Sequence, residues 1–451
     1  MRQSDISLEE FLENLNNPKE IDLNKDLTGE SFAGSRVEKR LDNESWDVIC
    51  CCGKNFVVNT KELQLGLKTN CGCFADHLSE ANKELRIQSI LDSIKEWASY
   101  NNRFFSLTAE QALIQWIRQD GICPISGVKL SLFDLGDWVG YLDIKDEERG
   151  YVSDNIRWIH PMLGRLFDNL GISRERILGI LVAASNYKPQ IKSFNKIECG
   201  KLIQEIDEKV WVRLFNQLNL QKIPVNFDRE FLVGLYLANN RRCWVTGEEI
   251  EIGKTARLQK IDEWSGWYTW NVMWVHNECS AITSFFEPLW FKLLTKQVAE
   301  TRKNPPAETK IVMVSGGFDP PHIGHYSLFR EASKYGKVVV ALNSDAWLQN
   351  KKGYAVSNWS ARKAVLEEAC SIAMVVSVDD SDGTVCEAIQ RIKPDFFANG
   401  GDRKQDNVPE VALSNVLRVQ MIWEVGGGDK LDSSSQMVKR VVETELAKQP
   451  K

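Results

Sequence analysis

The stretch Ser315-Gly316-Gly317-Phe318-Asp319-Pro320-Pro321-His322-Ile323-Gly324-His325 constrains the fold more than any other part of the sequence. The apolar run Ile311-Val312-Met313-Val314 precedes it, and a helical pattern begins near Tyr326. That order reads as strand, glycine turn, helix, and a helix N-terminus presents backbone N–H groups to an anion. Gly324, between the two histidines, removes the side chain that would crowd a phosphate, so both imidazoles can face one phosphoryl group. The chain has five histidines. Two of them this close together beside a Gly-Gly turn argue against a scatter of surface residues.

More residues follow in a fixed order. Asn343-Ser344-Asp345 comes after the apolar run 338–342, and then come Lys352-Gly353, Arg362, Lys393-Pro394-Asp395, Gly400-Gly401-Asp402 and Ser433-Ser434-Ser435. With the two histidines they make the stretch from about 310 to 440 resemble the cytidylyltransferase-like nucleotidyltransferases, whose signature is His-x-Gly-His. The apolar runs 311–314, 338–342 and 374–378, with helical patterns between them, agree with the Rossmann-like α/β fold and parallel sheet that the resemblance implies.

The resemblance implies a reaction in which an acceptor oxygen attacks the α-phosphorus of a nucleoside triphosphate and pyrophosphate leaves. It gives His322 and His325 the phosphates at the reacting centre, and Lys352 the triphosphate or the acceptor's phosphate, with Lys351 as its rival. Gly316, Gly317, Phe318, Asp319 and Gly324 fall in the nucleotide-binding turn, and Arg362 steadies that region. Gly401, Asp402 and Arg403 sit near the base and ribose, and Ser433, Ser434 and Ser435 grip the β,γ-phosphates at a helix N-terminus. Mg2+ accompanies the triphosphate, and a homodimer is a common family arrangement. The stretch looks similar to glycerol-3-phosphate cytidylyltransferase and to the ADP-heptose synthase type, which implies CTP or ATP and a phosphorylated small alcohol or sugar. From Val425 to Ser435 it departs from the Ser-Thr-Thr ending of those two, so base and acceptor stay open.

At 451 residues the chain is too long for one ordinary core. A hydrophobic fraction of 43% and a charged fraction of 26% fit soluble globular domains. The net charge of -6 argues against a broad polybasic surface and leaves room for a local basic groove. Met1-Arg2-Gln3-Ser4-Asp5 leads into a polar stretch, so no secretory signal is expected, and the apolar run 177–184 is too short to cross a membrane. Eleven cysteines, an odd number, suit a reducing, cytoplasmic setting rather than a disulfide framework (host cytoplasm for a viral protein).

Five of those cysteines lie between Cys50 and Cys73. Cys50, Cys52, Cys71 and Cys73, beside Gly53 and Gly72, form two knuckles able to hold a structural Zn2+ tetrahedrally, and the alternative is a set of buried free cysteines. The stretch resembles the zinc-ribbon-like segments of phage-type proteins.

An internal repeat follows. Cys123-Pro124-Ile125-Ser126-Gly127, then Asp146, Gly150, Tyr151, Asn155, Trp158 and His160, recur as Cys243-Trp244-Val245-Thr246-Gly247, then Asp262, Gly266, Trp267, Asn271, Trp274 and His276. Each copy reads as a helix, a small β-hairpin and a helix after the histidine. Each resembles the phage-type HNH endonucleases, with departures. No histidine stands in 142–146 or 258–262, where that family keeps its general base, and the tail asparagine is Gly164 or Ser280. His160 and His276 are relic ligands or structural residues. Without base and ligands the hydrolysis loses its main contributions, so the copies are expected to bind rather than cut. Arg157, Arg165, Arg241 and Arg242 are candidates for nucleic acid, against the alternative of a plain solvated surface. An HNH-like nuclease or nucleic-acid-binding protein is therefore the competing reading of the whole chain.

The expected architecture is multidomain: an N-terminal segment 1–45, a small α+β zinc-ribbon-like unit 46–76, duplicated HNH-like (ββα) units 77–192 and 193–299, a linker 300–309 kept extended by Pro305-Pro306, and a Rossmann-like nucleotidyltransferase domain 310–451.

Overall fold

The computed structural model describes residues 26–29, 31–32, 35–42, 45–49, 55–60, 80–132, 139–190, 192–220, 223, 225–261, 265–286, 288–400, 408–426 and 434–447. The proposed zinc ligands Cys50, Cys52, Cys71 and Cys73 lie outside these residues, as do Gly401, Asp402, Arg403 and Ser433. No helix among the described residues is long and apolar enough to cross a membrane.

The first strands are β1 (Ser31–Phe32), β2 (Ser35–Arg40), β3 (Ser45–Ile49) and β4 (Asn55–Asn59), one antiparallel sheet in that order. It closes over Val37, Trp46, Val48 and Val58, with the Trp46 Nε1–H donating to Thr60 Oγ1 at 2.9 Å. The expected boundary between residues 45 and 46 cuts through this sheet, because β2 pairs with β3. A cysteine pattern carries no information about strand pairing, which is why the sequence misplaced it.

The repeat is a repeat of structure. The first copy has α1 (Glu80–Tyr100), α2 (Ala109–Arg118), β5 (Tyr141–Ile144), β6 (Ile156–Ile159) and α3 (Pro161–Asn169). After α4 (Arg174–Asn186) and α5 (Lys196–Glu205), the second has α6 (Glu208–Leu220), α7 (Arg229–Ala238), β7 (Ala256–Lys260), β8 (Val272–His276) and α8 (Asn277–Thr283). A buried indole needs an acceptor, and both copies supply the same one: Trp158 Nε1–H donates to Ala112 O at 2.9 Å, and Trp274 Nε1–H to Leu232 O at 2.8 Å. Asn155 and Asn271 each close the loop before the second strand, donating to Gly150 O at 2.7 Å and Gly266 O at 2.8 Å. Thr108 and Asp228 cap α2 and α7 by accepting from Gln111 N and Phe231 N. His160 and His276 cap α3 and α8, each Nδ1 accepting a backbone N–H at 3.3 Å. Both histidines thus have a structural role.

The last part of the chain is a parallel sheet in the order β11-β10-β9-β12-β13, made of β9 (Ile311–Gly316), β10 (Lys337–Leu342), β11 (Ile372–Ser377), β12 (Phe396–Gly400) and β13 (Gln420–Val425). Its helices are α10 (Ile323–Ala332), α11 (Asp345–Lys352), α12 (Trp359–Glu367), α13 (Cys386–Ile392), α14 (Glu410–Leu417) and α15 (Ser434–Ala447). Helices cover both faces, so β9 and β10 read as unbroken apolar runs. Met313, Val339, Val376 and Phe397 pack towards α13 on one face, and Val312, Val314, Val340 and Leu342 towards α10 and α12 on the other. This is the Rossmann-like layering expected. The strand order reverses between β9 and β12, and ligands of open α/β sheets bind outside the carboxyl ends at such a switch point.

The expected linker is not a free joint. Helix α9 (Pro288–Lys303) runs through its first residues, and Thr309 N donates to Arg118 O at 2.7 Å. Arg118, at the end of α2, donates to Asp395 Oδ2 at 2.6 Å and to Lys393 O at 2.7 Å. Lys310 Nζ and Ile311 N reach the same carboxylate at 2.8 and 2.9 Å. Burial pushes the Asp395 carboxyl up, but these donors outweigh it and hold it below the usual range. Arg391 pairs with Glu110 of α2 nearby, and one apolar core runs from α2 into α13. The first copy is therefore docked on the amino ends of β9 and β12. Asp395→Ala strands three donors, so it should cost about 2–3 kcal/mol and split the calorimetric unfolding of the chain into two transitions; an unchanged single transition would assign the docking to apolar contact alone.

Candidate active site

β9 ends at Gly316, and the chain turns through Gly317 and Phe318 into α10. The turn is close-packed. A Cβ on Gly317 would stand 2.6 Å from Leu348 Cδ2, and one on Gly316 would stand 2.9 Å from the Phe318 ring. Phe318 has a positive φ of 44° and is buried, with its ring edge-on to His325 at 4.9 Å and to Phe329 at 5.1 Å. Its ring therefore supports His325 from below instead of lining the opening. Asp319 is fully buried, and its carboxylate accepts from Val356 N at 2.6 Å and Ser357 N at 2.9 Å. It serves the turn as a clip.

His322 and His325 stand together, as the sequence predicts. Their rings stack with centroids 3.7 Å apart and planes 26° apart. His322 caps α10, its Nδ1 accepting from Gly324 N at 3.2 Å, and His325 Nδ1 accepts from His322 N at 3.3 Å. Both Nδ1 atoms are acceptors, so the ring proton of each neutral imidazole sits on Nε2. A Cβ on Gly324 would lie 3.2 Å from the His322 ring. The glycine thus makes room for the imidazole itself, a nearer reason than room for phosphate. Burial, and after it the charges of His322 and Lys352, pull the His325 imidazolium down to a pKa of about 3.

Lys352, the last residue of α11, donates from Nζ to Asp319 O at 3.3 Å. Burial lowers its pKa; the Asp319 carboxylate opposes the shift and the Arg362 guanidinium adds to it. Lys351 lies instead over the Trp347 ring, 4.2 Å from its centroid, so of the two lysines it is Lys352 that reaches the turn. Ser434 also arrives there: its Oγ–H donates to Pro320 O at 2.9 Å and docks the start of α15 on the turn. Ser435 is exposed.

Arg362, expected to steady the nucleotide-binding turn, is held inside the protein. It is 1% exposed, and its guanidinium donates to Gly317 O at 2.6 Å, Asn343 O at 2.9 Å, Ser357 O at 3.2 Å and Asp345 Oδ1 at 2.6 Å. It is a positioning residue beneath the turn, with its donors used inside the protein. Sequence reading missed Asp380, which accepts from Asn343 Nδ2, Ser344 N and Ser344 Oγ at 2.9, 2.8 and 2.7 Å and so fixes the start of α11. No local pattern marks an aspartate two strands away.

Two imidazoles and one ammonium thus stand at one turn at the switch point, a set suited to phosphoryl oxygens. Since His325 is neutral when folded and charged when unfolded below its ordinary value near 6.5, its contribution to stability is complete above pH 6.5 and is lost as pH falls towards 3. The melting temperature of wild type should therefore fall more steeply than that of His325→Gln between pH 6.5 and 4, and parallel curves would refute the buried neutral imidazole.

Residues 313–440 match the model of the family described as cytidylyltransferase-like. The bifunctional protein HldE of Haemophilus ducreyi is 33% identical over 138 residues, which are 30% of this chain and 26% of that protein. HldE of Citrobacter koseri is 36% identical over 137 residues, again 30% of this chain and 26% of that protein. The chain spans about a quarter of the length of these curated relatives. A lipopolysaccharide core biosynthesis protein from Thermoplasma volcanium aligns in structure at 22% identity over 28% of this chain and 99% of that one, with a TM-score of 0.24. Residues 313–440 of the chain thus carry a cytidylyltransferase-like domain.

Proposed function

We propose that this domain transfers a nucleoside monophosphate from CTP or ATP to a phosphorylated small acceptor and releases pyrophosphate. An oxygen of the acceptor's phosphate forms a bond to the α-phosphorus, the bond to the α,β-bridging oxygen breaks, and pyrophosphate leaves with the electron pair. His322 and His325 would donate from Nε2 to the phosphoryl oxygens as charge builds on them, and Lys352 would neutralise the triphosphate or the incoming phosphate. Magnesium, carried in by the triphosphate, would supply further charge neutralisation. The observation that carries the reading is the stacked histidine pair with both Nδ1 atoms committed to the backbone. The fate of Asp319 supports the acceptor class. The carboxylate of the turn is spent on Val356 and Ser357, so a nucleophile that is already an anion suits the site better than a hydroxyl needing a base.

With magnesium, pyrophosphate release should depend on one of CTP, ATP, GTP or UTP and on one sugar or polyol phosphate. His322→Ala and His325→Ala should each lower kcat at least a hundredfold without loss of fold. Full turnover in either variant would sink the assignment.

A second reading concerns the repeated units, which we take as HNH-like frames that bind an anionic polymer such as nucleic acid. Their hairpin positions are filled by self-satisfied groups. Asp143 is buried between Arg157 at 2.8 Å and Arg174 at 3.1 Å, Tyr141 donates to Asp168 and packs over Gly164, and Gln259 donates to Thr283 Oγ1 at 2.8 Å. The arginines expected to meet nucleic acid are largely committed elsewhere: Arg157 to Asp143, Arg241 to Glu198 at 3.0 Å and Arg242 to Glu249 at 3.0 Å. A groove of about 540 Å³ between α6 and the β7–β8 hairpin is the better candidate. Arg213, Lys254 and Arg257 edge it, and no carboxylate stands among its described lining residues. The Arg213→Glu/Arg257→Glu double variant should weaken binding of a fluorescent DNA duplex and reduce the slope of log K against log salt by about 2; equal affinity and slope in both proteins would remove the groove from this role.

A further inference from the structure

Strands β9 and β12 part where the sheet reverses its order. They pair at Phe396↔Val312 and Phe397↔Met313, whereas β9 stays paired with β10 as far as Gly316↔Leu342. Beyond Phe397, β12 continues with β13, and that ladder slips between Ala398 and Gly400. The slip sets two residues of β13, Trp423 and Glu424, against Asn399 alone, and Glu424 takes a positive φ of 58°. A bulge of this kind bends its strand and interrupts regular pairing, and bulges gather beside active sites. This one edges the crevice whose opposite edge carries Gly316 and Gly317.

Asn399 is 2% exposed, and its Nδ2 is buried without a hydrogen-bond partner. A buried amide donor left unbonded is a standing cost to the free protein. The phosphate donors of the site stand on the β9 side, on α10 and α11. A nucleotide lying across the switch point with its phosphates on His322 and His325 therefore extends its nucleoside towards β12. We infer that Asn399 Nδ2 donates to an acceptor atom on the nucleoside part of the triphosphate, which makes Asn399 a specificity-determining residue. The inference rests on the nucleotidyltransferase reading above.

Calorimetric titration of the full chain with CTP, ATP, GTP, UTP and inorganic tripolyphosphate tests it, with Asn399→Leu and Asn399→Asp beside wild type. The triphosphate that wild type binds best should bind roughly two- to tenfold more weakly to both variants, while tripolyphosphate binds all three proteins equally. Free Asn399→Leu should also melt about 2–4 °C above wild type, because the unbonded donor is gone. Should Asn399→Leu fail to fold, Asn399→Asp, which keeps the shape, carries the comparison alone. Unchanged nucleoside triphosphate affinity overturns the inference, and so does a parallel loss of tripolyphosphate affinity, which would mark a structural role. Wild type that binds tripolyphosphate but none of the four nucleotides would overturn the nucleotidyltransferase reading itself.

Discussion

One buried cation fixes the geometry of the candidate site. Taking a guanidinium out of water costs several kcal/mol unless its donors are met, and Arg362 meets them with acceptors from three segments: Gly317 after β9, Asn343 and Asp345 after β10, and Ser357 before α12. The loops that leave two neighbouring strands are thereby held at one spacing. That spacing decides where the histidines of α10 stand relative to Lys352 on α11. Asp319 complements it, as a buried anion from the turn that accepts from the same 356–357 segment. A cation and an anion, each donated across the gap by the opposite partner, clip the turn to the segment before α12. The price is that neither charge remains for the substrate.

This division explains what the sequence could and could not tell. The strands of the parallel sheet were legible because both faces are buried, which leaves unbroken apolar runs such as 338–342. The histidine pair was legible because its spacing on a helix start fixes the two rings side by side. Arg362 was expected to steady the turn, but position along the chain does not reveal that its guanidinium does so by donating to three backbone carbonyls and one carboxylate. Gly324 was assigned to phosphate clearance, while the group it clears in the folded chain is the His322 ring. Asp380 left no trace in the sequence, since its partners come from a different strand. The start of the expected linker was misjudged for a local reason: the helical pattern of α9 runs on to Lys303 before Pro305-Pro306 stops it.

The repeated units show the same contrast between frame and surface. What recurs is whatever satisfies a buried polar group: the indole on a helix carbonyl, the asparagine closing a loop, the histidine capping a helix. What differs is the groove beside the hairpin. In the first copy Asp143, Glu147 and Asp168 face Arg103 and Arg174, whereas the described lining of the second copy's groove holds Arg213, Lys254 and Arg257 and no carboxylate, Lys254 pairing with Glu251 outside it at 2.8 Å. Side chains that close the core are held by packing and desolvation, and those at an open groove are free to change charge without loss of fold. The contrast is confined to the two grooves, since both copies carry ion pairs elsewhere on their surfaces.

The docking of the two halves limits how they can work together. The first copy meets the sheet at Asp395 and Lys310, at the amino ends of β12 and β9, while the histidine turn lies at the carboxyl ends. A strand of β9's length separates the two by roughly 20 Å, so these docking contacts stand at the opposite end of the sheet from the turn. A coupling through β9 or β12 would need an element with two arrangements, and both strands are packed on their two faces by apolar side chains that resist small shifts. Attachment at Asp395 and Lys310 thus fixes the first copy to the sheet without drawing on the residues of the histidine turn.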